Sequence, residues 1–157
     1  MQKIVVSVLV LIMIVVGCSS DNDVSSGDIQ VSKVKFSLCG ENTNATRTNV
    51  SEYIKFSAVN NNTLKVEHKI LLNCCVENIG ITLNSEENKI TISITDDIAC
   101  NCICPRIVSY EISNLQAGNT YKLTFLKAYS HATEYYTIEY YTCTLLFSSQ
   151  VNREIRL

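Results

Sequence analysis

The segment Leu64–Leu72, which reads LKVEHKILL, decides the fold class. Every second side chain is apolar or is a histidine, and most of the residues between them are charged. This is the period of a β-strand with one buried face, whereas a helix would repeat its apolar residues every three or four positions. The segment therefore predicts a half-buried strand on which His68 is a core histidine rather than a ligand.

The same alternation continues along the chain and is interrupted by polar turns such as Asn60–Asn62. It recurs at Val34–Leu38, Ile54–Ala58, Ile79–Leu83, Ile90–Ile94, Val108–Ile112 and Tyr121–Phe125, and Glu134–Phe147 is long enough for one bent strand or two. No segment after the N-terminal apolar run has helical periodicity. Seven to nine short strands separated by turns indicate an antiparallel β-sandwich.

A turn signature refines this prediction. The segment Leu115–Tyr121, LQAGNTY, resembles the Leu-x-x-Gly-x-x-Tyr turn of immunoglobulin-like domains. The resemblance implies a tyrosine corner, in which the Tyr121 hydroxyl bonds back to the turn backbone and Gly118 adopts a positive φ. We therefore expect an all-β, immunoglobulin-like antiparallel sandwich of seven to nine strands after an N-terminal signal segment.

The N-terminal segment predicts where in the cell the protein is located. A short basic start, Met1–Lys3, precedes the apolar run Ile4–Val16, which is shorter than the roughly 20 residues that a membrane-spanning helix needs. The run ends in Val-Val-Gly-Cys18, which resembles the lipobox of bacterial lipoproteins. The resemblance implies cleavage after Gly17 and lipidation of Cys18. The alternative is a plain secreted protein in which Cys18 is incidental.

The expected organisation is a signal peptide at 1–17, a lipidated cysteine and flexible tether at 18–30, and a β-sandwich domain at 31–157. The acids that follow Cys18, in SSDNDVSSGD, resemble those of surface-exported lipoproteins of Bacteroidetes. This implies a lipid-anchored protein of the cell envelope, at the outer membrane, on its periplasmic face or on the cell surface.

Seven further cysteines are present: Cys39, Cys74, Cys75, Cys100, Cys102, Cys104 and Cys143. An exported domain matures where disulfides persist, and an odd number leaves at least one thiol unpaired within the chain. Adjacent Cys74 and Cys75 point to opposite faces of an extended chain, while the three cysteines spaced by two share one face. We expect Cys74 and Cys75 to bond two of those three, and Cys39 to bond Cys143.

A thiolate site for zinc or copper(I) is the alternative use of these cysteines. The Cys-x₂₋₄-Cys spacing typical of structural zinc sites is absent, as is the Cys-x-x-Cys redox motif. We therefore expect disulfides, with no metal and no cofactor.

The cysteine pattern carries one more resemblance. Asn73-Cys74-Cys75, the CNCICP segment at 100–105, Ser109–Ile112 and Leu115–Tyr121 are similar to a group of small lipoproteins of Bacteroidetes. This similarity implies an origin in Bacteroidetes and a location in the cell envelope, and it implies no enzymatic reaction.

The expected function follows mainly from the partners and reactions that the charge and the motifs of the sequence argue against. The formal net charge of −2 argues against nucleic acid as a partner, because phosphate backbones need a basic surface. Phosphate-loop, nucleophile-elbow and metalloprotease motifs are absent, so we expect no enzyme. A tyrosine-rich block offers a binding surface for a protein or a glycan, unless half of its rings face the core: Tyr135, Tyr136, Tyr140 and Tyr141. The chain is thus expected to be an envelope binding or structural module, with an undetected enzyme or a glycan-binding accessory domain as the alternative.

Overall fold

The protein is all-β in the part that its computed structural model describes, which is residues 27–39, 51–96, 102–131 and 134–157, without the side chains of 129–131 and 134–136. Nine strands are present there: β1 Gln30–Phe36, β2 Tyr53–Ala58, β3 Leu64–Asn73, β4 Ile79–Glu86, β5 Lys89–Asp96, β6 Ile103–Ser113, β7 Thr120–His131, β8 Glu134–Leu146 and β9 Asn152–Arg156. These residues include no helix capable of spanning a bilayer. The predicted signal peptide and Cys18 lie outside the described residues.

The strands form two sheets, with the orders β1-β6-β3-β2-β9 and β4-β5-β7-β8. Their packing confirms the predicted β-sandwich. All pairs are antiparallel except β5 and β7, which are parallel. The parallel pair arises because the chain leaves the second sheet after β5, forms β6 in the first sheet, and returns along β7 in the direction of β5. The expectation of purely antiparallel sheets is corrected at this one pair.

The core lies between the sheets and follows the alternation of the sequence. In β3, alternate side chains from Leu64 to Leu72 are fully buried, and the residues between them are half-buried or exposed. β5 repeats this pattern with Ile90, Ile92 and Ile94. Burial of a large aliphatic side chain contributes roughly 1.5–3 kcal/mol, so these two central strands hold the sheets together.

The tyrosine corner forms as predicted. The backbone N–H of Gln116 donates a 2.9 Å hydrogen bond to the Tyr121 hydroxyl. Gly118 has a φ of 88°, a conformation that costs glycine little and other residues more. The corner fixes the crossing from β6 in one sheet to β7 in the other.

The sandwich has two ends with different chemistry. At one, which we call the tether end, the described chain begins at Gly27 and the Asn114 side chain donates to the Asp28 carbonyl. At the other, the disulfide end, β3 finishes and β6 starts, beside Cys74 and Cys102. The 11 residues of β6 run from one end to the other, a distance of roughly 33 Å at the usual rise per residue.

Candidate functional site

Two disulfides close the disulfide end. Cys39 is bonded to Cys104, and Cys74 is bonded to Cys102, with Cα–Cα distances of 5.9 and 5.4 Å. The second bond confirms the predicted link between the adjacent pair and the spaced trio. Cys75 is also disulfide-bonded, to a partner outside the described residues. Predicted candidate Cys100 likewise lies outside them.

The expected bond between Cys39 and Cys143 is wrong. Cys39 follows β1, which pairs with β6 at the edge of the first sheet, and this pairing brings Cys39 beside Cys104. Cys143 lies on β8 in the other sheet, opposite Leu123, and its thiol is free. Burial raises the pKa of this half-buried thiol, so it is a weak nucleophile at neutral pH.

A buried arginine underlies the disulfides. Arg106 lies on β6 two residues after Cys104, and its side chain is only 3 % exposed. Nη2 donates a 2.8 Å hydrogen bond to the Cys74 carbonyl, and the guanidinium lies 5.9 Å from the Phe36 ring centroid. Nε and Nη1 are buried and have no hydrogen-bond partner in the described part of the chain. Because burying a charge is costly unless it is compensated, an anionic group beside Arg106 would stabilise it.

A carboxylate ties the two sheets together at the same end. Oδ2 of the buried Asp96, on β5, accepts hydrogen bonds from the Asn73 side chain at 2.8 Å and from its backbone N–H at 3.3 Å. Asn73 ends β3 in the opposite sheet, directly before the Cys74 disulfide. The last residues of β3 and β5 are therefore fixed relative to one another.

A cleft of about 200 Å³ opens between the sheets nearby, and its lining combines charged, aromatic and aliphatic side chains: Glu52, Ile70, Lys127, Ile138 and Tyr140. The Lys127 amine donates to the Leu71 carbonyl, and Oε1 of Glu52 accepts from the Leu71 N–H at 2.8 Å. Burial lowers the pKa of Lys127, while Glu52 and Asp96 oppose that shift. The cleft thus presents one amine and one carboxylate against apolar walls.

Tyr140, which lines the cleft, stacks against a buried histidine. The His68 and Tyr140 rings are stacked with centroids 5.3 Å apart, and the Tyr140 hydroxyl lies within 3.0 Å of both ring nitrogens. Burial, with a smaller effect from Lys127, lowers the pKa of His68 to about 3. His68 is therefore a neutral, buried core histidine, as predicted from its strand position.

The predicted tyrosine surface does not form as one exposed face. The register of β7 and β8 shifts between Phe125 and Leu126, which leaves Tyr140 without an opposite residue. Such a bulge breaks the alternation, so Tyr140 and Tyr141 both pack against the core. The side chains of Tyr135 and Tyr136 lie outside the described residues.

Sequence reasoning missed Arg106, Lys127 and Glu52. A signal for Arg106 was present, since it shares the β6 face of Cys104 and the buried Val108. A basic residue at an inward position is a candidate for a buried charge. Nothing in the local sequence of Glu52, directly before β2, marks it as a residue that lines a cleft.

The comparisons with known proteins add no relative. Neither the protein-family models nor the curated proteins nor the solved structures gave a match.

Proposed function

We propose that this chain is a lipid-anchored interaction module of the bacterial cell envelope, attached to a membrane through Cys18, whose disulfide end binds a protein or a glycan. The single observation that carries the proposal is the separation of the two ends. The described chain enters at Gly27, at the tether end, whereas the disulfides lie at the opposite end of β6 and the cleft residue Ile70 pairs with Arg106 near that same end.

The anchor is inferred from the sequence. The apolar run before Gly17-Cys18 is typical of a lipoprotein signal, and the Ser/Asp/Asn-rich stretch after it has the composition of a flexible tether. A tether of ten residues spans roughly 17 Å on average, so the tether end stays near the bilayer and the disulfide end reaches into the medium.

The cleft supports binding more than catalysis. Lys127 and Glu52 both bond the backbone of Leu71, and His68 and Tyr140 bond one another. Lys127 and the His68–Tyr140 pair link the two sheets, Glu52 bonds within the first sheet, and these groups are not arranged as a nucleophile beside a base. The cleft is also smaller than the roughly 300 Å³ at which small-molecule sites begin, so it suits one side chain or one sugar substituent of a larger partner.

The proposal is tested by site-specific photo-crosslinking in native envelopes. A benzophenone amino acid replaces Ile138, which is 51 % exposed at the mouth of the cleft. The matched control replaces Leu146, which is 61 % exposed on the same strand at the tether end. We expect a discrete adduct from position 138 and none from position 146. Equal labelling at both positions, or none at either, would contradict the proposal.

A further inference from the structure

Three cysteine sulfurs converge at the disulfide end. The Sγ atoms of Cys39, Cys74 and Cys104 all lie within 4.8 Å of one another. They come from three separate places in the chain, namely the segment after β1, the residue after β3, and β6. All three residues are half-buried. Since the sheet pairings hold these segments together, the trio is positioned by the fold as well as by the disulfides.

We propose that the reduced form of the chain binds one Cu(I) ion through the thiolates of Cys39, Cys74 and Cys104. Thiolate sulfur is the soft ligand that selects Cu(I), which is satisfied by few ligands. Structural zinc sites are closed by four ligands, whereas Cys102 Sγ lies outside the group of sulfurs that are within 4.8 Å of one another, and among the described residues no histidine or carboxylate joins this trio. The inference goes beyond the proposed interaction function and does not depend on it.

Arg106 supports this assignment independently of the sulfurs. Three thiolates around Cu(I) carry a net charge of −2, which is costly to bury without a nearby cation. The Arg106 guanidinium bonds the Cys74 carbonyl and is almost fully buried, and its Nε and Nη1 have no hydrogen-bond partner within the residues that the structure describes. A thiolate–copper centre beside it would place a compensating negative charge next to this buried cation.

Binding is controlled by the redox state of the cysteines. In the oxidised chain all three sulfurs are in disulfides, Cys39 with Cys104 and Cys74 with Cys102. A phosphine reductant supplies two electrons to each bond and water supplies the two protons, so four thiols form and the phosphine is oxidised to its oxide. Cu(I) then replaces the protons of three thiols, and the Cys102 thiol keeps its proton. Reoxidation of these cysteines by a small disulfide, which is reduced to its thiols, would release the metal.

The test is a competition titration of the purified domain, 19–157, with Cu(I) and the chelator bicinchoninate, with and without a phosphine reductant. We expect the reduced domain to withdraw one equivalent of Cu(I) and the oxidised domain to withdraw none. Replacing Cys104 with serine should weaken binding by at least about 100-fold, since changes outside the ligand set already cost 10–100-fold. Cys143→Ser is the matched control and should bind as the parent does.

Two further measurements test the copper site even if the Cys104→Ser domain misfolds. Copper X-ray absorption of the parent should give three sulfur ligands. Arg106→Gln should weaken binding by about tenfold, and Arg106→Lys should restore most of the affinity, because it keeps the charge. A site with two or four sulfurs, loss of the β-sheet circular dichroism on reduction, or equal affinity in the Cys104→Ser domain would overturn the proposal.

Discussion

The Tyr140 hydroxyl lies 2.9 Å from Nδ1 of His68, and this contact joins β8 to β3 across the two sheets. Both rings also contact Phe125 in the core. The contact exists because the bulge in β8 turns Tyr140 inward, to the only polar side chain on the buried face of β3. A polar pair therefore lies in the largely apolar interface between the sheets, and its Tyr140 member lines the cleft.

Replacing Tyr140 with phenylalanine should destabilise the domain by about 1–3 kcal/mol, because it removes the hydroxyl that contacts the buried His68 ring. Tyr141→Phe is the matched control. Tyr141 is the neighbouring half-buried ring, and its hydroxyl has no hydrogen bond to a described residue, so its variant should lie within about 0.5 kcal/mol of the parent. Urea unfolding of the two variants measures the difference, and equal midpoints would show that the His68 contact contributes nothing.

The free energy of unfolding should decrease as pH is lowered, because His68 is buried in its neutral form. Its pKa is about 3 in the folded protein and near 6.5 when unfolded, so below pH 6.5 the unfolded chain binds a proton that the folded chain does not. The free energy of unfolding therefore decreases as pH falls, by up to about 1.4 kcal/mol per pH unit. Between pH 6 and 4.5, where most carboxylates are still ionised, the parent should lose stability faster than His68→Phe. Parallel curves for the two proteins would contradict the assignment of a buried neutral histidine.

The Cys39–Cys104 disulfide should carry much of the stability of the domain. It joins residues 65 apart in the chain, and chain-entropy reasoning gives about 4 kcal/mol as an upper value for such a loop. The double variant with alanine at both positions should unfold at clearly lower urea than Cys143→Ala, which removes only a free thiol. If both variants unfold at the same urea concentration, the bond is dispensable.

Cys75 should be bonded to Cys100. Cys75 is disulfide-bonded, and the other cysteines outside this pair are accounted for: Cys39, Cys74, Cys102 and Cys104 by the two described bonds, Cys143 as a free thiol, and Cys18 as the expected lipid site. Peptide mapping of the unreduced protein should recover a Cys75–Cys100 linkage. A Cys75 peptide linked to Cys18, or to a second molecule, would refute it.

The local features of the fold could be predicted from the sequence because they depend on local periodicity. Alternation in Leu64–Leu72 gave a strand with a buried His68, and Leu115–Tyr121 gave the tyrosine corner with Gly118 in its positive φ. That Cys74 bonds one of Cys100, Cys102 and Cys104 followed from which side chains share a face of an extended chain, and the bond to Cys102 agrees with it. Each of these predictions starts from the side-chain pattern of a short segment.

The remaining features depend on contacts that no local pattern encodes. The partner of Cys39 is set by the pairing of β1 with β6, which sequence spacing does not reveal. Tyr140 points inward because of a β-bulge, and this bulge is visible only in the pairing register of β8 with β7. The burial of Arg106 and Lys127 depends on how the two sheets pack at the disulfide end. Because sheet packing is not encoded in a local sequence pattern, the cleft could not be predicted from the sequence.

The proposal of a membrane-anchored module is tested most directly by mass spectrometry of the N-terminal peptide from protein extracted from the membrane fraction. The account predicts a peptide that begins at Cys18 and carries a diacylglyceryl group on its sulfur. A peptide that extends upstream of Cys18, or an unmodified Cys18 in protein recovered from the soluble fraction, would contradict it.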